Sequence, residues 1–488
     1  MARTFFVDII VMVVSALFRV WFEFLPDEQR LRLNGVEQLI NDVLRQVRMG
    51  LWHTTIACWR DLAEQHAARC SDCGHACERS LAVTLVLIDG LTLSVPTTYF
   101  YCRPCKRGRT PVAQWLGLHR GLVSAGIERH VVSLSTRVSF HETVAQMQEQ
   151  HGQTIEAGKV ERMTYEVARD AETFLQLQRE KAVHNLDRTP PRKGVACLIV
   201  TTDGGGAPVG LLHRPPLEQA KRLTPIRKLP VGTREQTHRE MRVILVHPPQ
   251  EHGEQRWVDV HLSVPEHPEA SGERMRALAA LAGLGSQTHV HGVFDMGTWI
   301  RPQFVQSFGV YQFTICADQM HVLEYLGDAA KALWPQPAQE AERKEWFDLQ
   351  RGHLRAGRWR TILDALGDGE QEAVVDARRY LENHHDDMNY GQLHARDLPV
   401  ASGEAEGAVR HEIRNRLDNA GVWREEHLPG MGALLSVWES GLWEDFWQWR
   451  EACDVKAFRE RQQGEYKRKF RGGRKRKAQD PVQGEEAA

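Results

Sequence analysis

Apolar residues recur at a four-residue step through Leu39, Val43, Val47 and Leu51, the spacing of one helix face, and the stretch 27–69 reads as helix. From residue 70 the texture changes. Leu81–Ile88 (LAVTLVLI) and Thr92–Tyr101 (TLSVPTTYFY) are strand-like, and the Asp89-Gly90 between them is a hairpin signal. Residues 110–185 return to helical periodicity with breaks at Gly121, Gly126 and Gly152, and the paired prolines of Arg188–Gly194 mark a linker. Beyond it the pattern is mixed. Val195–Thr202 is an apolar run ending in Asp203-Gly204-Gly205-Gly206, and Arg242–His247 and Arg256–Val264 read as further strands. A helix is predicted over 270–284, then a strand over His289–Phe294 that runs into Asp295. Trp299–Phe308 reads as helix and Val310–Ala317 as a strand ending at Asp318. From Met320 to Trp449 nearly everything is helical, and no repeat period is evident.

A chain of 488 residues has room for two to four domains and a sizeable core. Its 42% hydrophobic and 26% charged residues exclude a disordered or fibrous protein. Sixty-two basic against sixty-four acidic residues leave a net charge of −2, with no overall bias towards nucleic acid or membrane. The balance hides a basic end: from Lys456 to Lys477 eleven Lys/Arg face two Glu. Such a block reads as a solvated, disordered arm that touches nucleic acid through Arg471, Arg474, Lys475, Arg476 and Lys477. Near the start, Ile9–Phe18 is an apolar run of ten residues flanked by Asp8 and Arg19. A spanning helix needs roughly 17–25 residues, and no cleavage-site pattern follows the run. The expectation is a cytoplasmic protein with no membrane partner.

Cysteine placement adds chemistry. Cys70-x-x-Cys73 and Cys102-x-x-Cys105 form two knuckles separated by the hairpin. Zinc takes four thiolates in a tetrahedron, each C-x-x-C turn presents two, and antiparallel strands bring the turns together as a zinc ribbon. Cys77 and His75 are spare candidates, while Cys58, Cys197, Cys316 and Cys453 read as core residues.

Asp203 and Asp295 each follow an apolar strand and precede a glycine-containing turn, the edge at which α/β proteins hold ligands. A third acid, Glu406, lies in Ser402-Gly403-Glu404-Ala405-Glu406-Gly407, with Arg410, Arg414 and Arg416 behind it as a cationic helix face for a phosphate backbone. Carboxylates from three segments can hold two divalent ions about 3.5–4 Å apart, the arrangement of two-metal phosphoryl transfer. The chain lacks the Lys-Ser/Thr of a phosphate-binding loop and the glycine spacing of a dinucleotide fold.

In order along the chain, these features resemble the transposases of bacterial insertion sequences of the ISKra type. The resemblance rests on the paired C-x-x-C, Asp203-Gly204, Asp295-x-Gly297-x-Trp299-Ile300 and Asp318-x-x-His321 with Glu324-Tyr325-Leu326. It continues through Ser402-Gly403-x-x-Glu406-Gly407-x-x-Arg410, Gly421-x-Trp423 and Trp443-x-x-Phe446-Trp447. It implies an α/β protein with an RNase H-like catalytic core interrupted by an all-helical insertion, preceded by a helical region and a small zinc ribbon. The expected division is a helical region over 1–66, the zinc ribbon over 67–109, a helical DNA-binding domain over 110–187 and the first part of the core over 195–335. The helical insertion over 336–395, the end of the core over 396–452 and the basic tail over 453–488 complete it.

The implied activity is metal-dependent strand cleavage and strand transfer at the ends of a mobile element. Asp203, Asp295 and Glu406 would be the triad for two Mg²⁺ or Mn²⁺ ions, Asp318 and His321 accessory residues, and zinc a structural cofactor. Double-stranded DNA and a second copy of the chain are the implied partners. Where the family has Gly-Asp-Gly, this chain has Phe294-Asp295-Met296-Gly297, and Met296 is expected to narrow the turn. The competing readings are a catalytically inactive relative that binds DNA through its zinc module, and an unrelated zinc-containing nuclease or regulator.

Overall fold

The structure, a computed structural model, describes residues 33–65, 68–70, 73–88, 91–111, 123–188, 194–213, 233–249, 256–264, 267–418 and 421–456, with a few positions between 12 and 24. The basic residues Arg471, Arg474, Lys475, Arg476 and Lys477 lie outside the described residues, as does half of the apolar run Ile9–Phe18. The chain divides into two compact units. One comprises 1–128, 147–154 and 457–488, the other 129–146 and 155–456.

In the first unit a 33-residue helix, α1 (Leu33–Gln65), lies against a three-stranded antiparallel sheet of β1 (Glu78–Ile88), β2 (Leu91–Cys102) and β3 (Arg107–Arg109). Ile88 pairs with Leu91, so two residues join the strands; the predicted turn residues Asp89 and Gly90 themselves lie outside the described residues. Along β2 alternate residues Leu91, Leu93, Val95 and Thr97 are buried, the period of a strand with one face covered. Ile56 and Ala63 meet them, with Met49 and Trp52 at the margin. The stripe predicted through Leu51 is a different face: Leu51 is exposed. The helix carries two apolar stripes, and periodicity alone cannot say which one the sheet covers. At the helix end the Glu64 carboxylate accepts from both the backbone N–H (3.0 Å) and hydroxyl (2.8 Å) of Thr98.

The second unit is built on a mixed sheet of β4 (Cys197–His213), β5 (Thr233–His247), β6 (Trp257–Leu262), β7 (His289–Phe294) and β8 (Gln312–Ala317), in the order β6-β5-β4-β7-β8. The pairs β4–β5 and β5–β6 are antiparallel, β4–β7 and β7–β8 parallel. Both faces are covered. On β5, Ile244 and Val246 enter one core while Met241, Val243 and Leu245 enter the other, which is why RVILVH reads as continuously apolar.

The first face packs α5 (Glu269–Leu281), α6 (Ile300–Phe308), α7 (Gln319–Leu333) and the helices that follow: α8 (Glu340–Arg355), α9 (Trp359–Leu366), α10 (Glu372–His384) and α11 (Tyr390–Ala395). These last four fill the predicted helical insertion. The second face packs α4 (Ala157–Arg188), the π-helix Val409–Asp418 and α13 (Leu428–Glu439). Between α11 and the π-helix lies the short α12 (Gly403–Ala408). Helices α2 (Ala125–Arg137) and α3 (Phe140–His151) precede α4. Val167, Ala168 and Phe174 of α4 share a core with Met241, Val243 and Val260, so this helix belongs to the sheet rather than to a separate domain over 110–187. Among the described residues no helix is long and apolar enough to cross a membrane.

Candidate metal centre and acidic site

The hairpin sets the cysteine geometry. Cys102 ends β2 and β3 begins at Arg107, which leaves a tight turn closed by Lys106, at φ +52° and with its N–H on the Arg103 carbonyl at 3.2 Å. The first knuckle is closed by Cys70 N–H to the His75 carbonyl at 2.8 Å and Gly74 N–H to the Cys70 carbonyl at 3.0 Å. Gly74 sits at φ +74°, a conformation that favours glycine. The sulfurs of Cys70, Cys73, Cys102 and Cys105 all lie within 4.8 Å of one another. Cys70–Cys105 is 3.9 Å and Cys73–Cys102 is 3.4 Å. All nine cysteines are free thiols. Four thiolates around one zinc at a Zn–S distance of about 2.3 Å stand about 3.8 Å apart, so the donor set fits a tetrahedral structural ion. Hydrogen bonding to Cys73, together with desolvation, pushes the Cys105 thiol far above its ordinary pKa. A bound cation reverses this, because it takes the thiolate form. His75 lends only its backbone carbonyl to the turn described here. Of the four cysteines expected in the core, Cys316 is buried and Cys197 half-buried, but Cys58 and Cys453 are exposed. Cys58 lies on α1 away from the strand-facing residues, and no sequence signal separated the two faces.

The acids gather at one edge of the five-stranded sheet. Parallel pairing of β4 with β7 ends at Thr201 and Val293, two residues before Asp203 and Asp295. Asp203 does not end its strand, as the sequence suggests; β4 runs on through Gly204-Gly205-Gly206, paired antiparallel with Arg242, Met241 and Glu240 of β5. Gly205 serves close packing. A Cβ there would stand 3.0 Å from Ile413 and 3.1 Å from Val409, so a side chain at this strand position would press on the π-helix. That helix continues directly from α12, which carries Glu406.

Burial raises the Asp203 carboxyl above its ordinary pKa, and the neighbouring carboxylates of Asp295 and Glu406 raise it further, against the Gly204 N–H and the Arg414 guanidinium. Gly204 N–H donates to Asp203 Oδ1 at 2.6 Å, and Gly297 N–H to Asp295 Oδ1 at 3.3 Å. Asp203 thus feels the charge of both other carboxylates, and the donor chemistry of such a group fits hard divalent ions. The three carboxylates are less tightly gathered than the thiolates: among the described residues, the cysteine group is the one set of three or more ligand atoms within 4.8 Å of one another.

Asp318 is placed by the same sheet logic, after β8, but its carboxylate is fully engaged. Oδ1 accepts from Met320 N–H (2.7 Å) and His321 N–H (3.4 Å), capping α7, and Oδ2 accepts the backbone N–H (2.8 Å) and hydroxyl of Ser402. Asp318 therefore ties the sheet edge to the residue that opens α12. His321 turns to Glu324, 3.3 Å away, and packs edge-on against Tyr325 and Tyr380. Two residues that sequence reasoning missed support this corner. Ser402 is one. The other is Tyr380 of the insertion, whose hydroxyl donates to the Asp295 carbonyl at 3.1 Å and whose ring stacks on Tyr325. A tyrosine in a polar helix carries no signal for such a contact.

The cationic face is smaller than expected. Arg410 and Arg414 are exposed, but Arg416 is buried at 1% exposure. Its Nε and Nη2 donate to the Ser135 carbonyl at 2.8 and 2.6 Å, and its guanidinium lies over Phe140 and Trp423. Arg410 and Arg414 are four apart and share a face. Arg416 lies about 120° from Arg410 at 3.6 residues per turn, and the switch to π-type bonding over Val409–Asp418 alters the spacing further. Arg416 is thus a packing residue and not part of a DNA-binding surface.

Compared with known proteins, the chain matches no family model and no curated protein. Fold and site together define a mixed α/β protein with a four-cysteine centre suited to a structural metal such as zinc.

Proposed function

We propose that the protein is a D-D-E transposase, a metal-dependent polynucleotidyl transferase acting on the ends of an insertion sequence through an RNase H-like core. The observation that carries this reading is that Asp295 and Glu406, from two distant segments, come near enough to Asp203 for their charges to add to the upward push that burial gives its carboxyl. The mixed five-stranded sheet, with β4 central and a helical insertion between β8 and α12, supports it. So does the order of motifs along the chain.

Two Mg²⁺ or Mn²⁺ ions would be held by Asp203, Asp295 and Glu406, and would supply activation of the attacking hydroxyl and stabilisation of the leaving oxygen. The chain's own contribution is placement. Asp318 holds the start of α12, Tyr380 holds the Asp295 backbone, and Arg410 and Arg414 offer charge to a phosphate backbone. Met296 does not obstruct the site, since its side chain is buried in the core. The partners under this reading are double-stranded DNA and a second copy of the chain.

The test is strand cleavage by purified protein with Mg²⁺ or Mn²⁺ on DNA carrying the element ends, read on a denaturing gel. Cleavage at the ends, lost with Glu406→Gln, is the expected result. Intact DNA under all metal conditions, with the protein folded and bound, would favour the inactive DNA-binding relative.

A further inference from the structure

The segment that carries Glu406 to the sheet edge is a strap held along its length. It leaves α11 at Asp397, which adopts φ +57°, and Leu398 and Val400 pack into the core of the five-stranded sheet. Three groups then grip it in turn. His291 Nε2 lies 2.7 Å from the Pro399 carbonyl, Gln319 N–H donates to the Val400 carbonyl at 2.8 Å, and Asp318 Oδ2 accepts from Ser402 N–H at 2.8 Å. Ser402 passes the placement on, because its own carbonyl accepts the N–H of Glu406 at 3.1 Å.

His291 is fully buried on β7, where a histidine costs free energy unless its ring nitrogens are paired. Its Nδ1 lies 2.6 Å from Oγ1 of Thr314, the residue level with it on β8, and this contact sets the plane of the ring. The Thr314 hydroxyl is itself 3.2 Å from His289 Nε2. A carbonyl can only accept, so His291 Nε2 carries a proton and donates to Pro399, in the neutral and the charged imidazole alike. The clasp therefore does not depend on titration of the ring. Pro399 has no N–H, so its carbonyl is the one backbone group by which the strap can be gripped at that residue.

We propose that His291 is a positioning residue of the acidic site, fixing Glu406 by holding Pro399. Its effect on cleavage rests on the proposed function; its effect on the strap does not. One strand, β7, then leads into Asp295 and also bears the side chain that sets where Glu406 stands. The acids come from segments far apart in the chain, so their spacing is only as good as the tie between strap and strands. A misplacement of about 1 Å can cost about 100-fold in rate.

The test compares His291→Gln with His291→Asn in the full-length protein. The amide nitrogen of Gln reaches as far as Nε2 and can donate to Pro399, whereas that of Asn reaches only as far as Nδ1. Both variants give up the ring, so a role in packing alone would tell on both alike. With Asn, kcat for strand cleavage should fall about 100-fold at a nearly unchanged KM for DNA, and Gln should recover about tenfold or more of the loss. Amide hydrogen exchange over 400–408 should quicken with Asn and stay near the wild-type rate with Gln, while β4 and β5 keep their protection in both. Equal losses of kcat in the two variants, or unchanged exchange over 400–408 with Asn, would overturn the proposal. If the wild type cleaves no DNA, the proposed function falls and exchange decides alone: quickening confined to the Asn variant supports the clasp, and any other pattern overturns it. If neither variant folds, the wild type is read instead. Its Gln319 and Ser402 amides should exchange as slowly as those of β7, and fast exchange at either would show that the strap is not held.

Discussion

Asp203 and Asp295 occupy the same register on neighbouring parallel strands: they are separated by the offset that pairs Cys197 with His289 and Thr201 with Val293. The pairing of β7 with β8 carries the alignment on, so that Asp318 stands level with Asp295, as Ala317 does with Phe294. Three acids thus fall in line across the sheet. The first feels the charge of Glu406, and the third is spent on holding the start of the helix that bears Glu406.

Burial, with the neighbouring carboxylates of Asp295 and Glu406 adding to it, makes charge at Asp203 costly. Its folded-state pKa is raised, so the folded protein binds that proton more tightly than the unfolded chain does. Stability therefore falls as pH rises from the ordinary carboxylate value of about 3.9 through the raised one. Asp203→Asn removes this loss and keeps an acceptor for the Gly204 N–H. In chelator at neutral pH the variant should melt at a higher temperature than the wild type. Under the proposed function its strand cleavage should fall by orders of magnitude while DNA binding persists. Asp295→Asn and Glu406→Gln should abolish cleavage alike. A melting temperature at or below the wild-type value would show that charge at Asp203 carries no cost in the folded protein.

Arg414 and Arg416, two residues apart, should separate surface from core. Arg416→Ala removes two hydrogen bonds to the Ser135 carbonyl and leaves a cavity beside Phe140 and Trp423. Chemical denaturation should show a loss of about 3 kcal/mol or more. Arg414→Ala should change stability by less than about 0.5 kcal/mol. Under the proposed function, Arg414→Ala should weaken DNA binding evenly across sequences and reduce its salt dependence by about one phosphate contact.

Much of this was legible in the sequence, for identifiable reasons. The strands β6, β7 and β8 are short apolar runs, the apolar parts of the longer β4 and β5 stand out in the same way, and the paired C-x-x-C with a hairpin between them admits few arrangements. What was not legible depends on partners far along the chain. Arg416 reads as one more cation in a basic helix until Ser135, Phe140 and Trp423 close over it. Gly204-Gly205-Gly206 reads as a turn, because only the approach of Val409 and Ile413 shows what the glycine at 205 is for. On α1, two apolar stripes compete, and the choice between them is made by β2.

Metal removal should act locally. Structural zinc contributes folding free energy directly, and the cysteine centre lies in a unit that is compact on its own. A strong chelator should raise amide hydrogen exchange first over 68–109, while the strands of the five-stranded sheet keep their protection. Metal analysis of the folded protein should give one zinc per chain. Simultaneous loss of protection in both units would show that the zinc unit does not unfold by itself.

Met296 offers a test of backbone strain beside the acidic site. It adopts φ +63° directly after Asp295, yet its side chain is 4% exposed and packed in the core. The left-handed conformation costs a non-glycine residue about 1–2 kcal/mol, whereas truncating a buried methionine costs about 2–5 kcal/mol. The burial term wins, so the wild type should be more stable than either small variant. Met296→Gly forfeits the burial but escapes the strain; Met296→Ala forfeits the burial and keeps the strain. Glycine should therefore be the more stable replacement by about 1 kcal/mol, the reverse of the order in a helix or strand interior. Equilibrium denaturation of the three proteins decides it. If alanine proves the better replacement, the turn after Asp295 is not under left-handed strain, and the methionine is held there by packing alone.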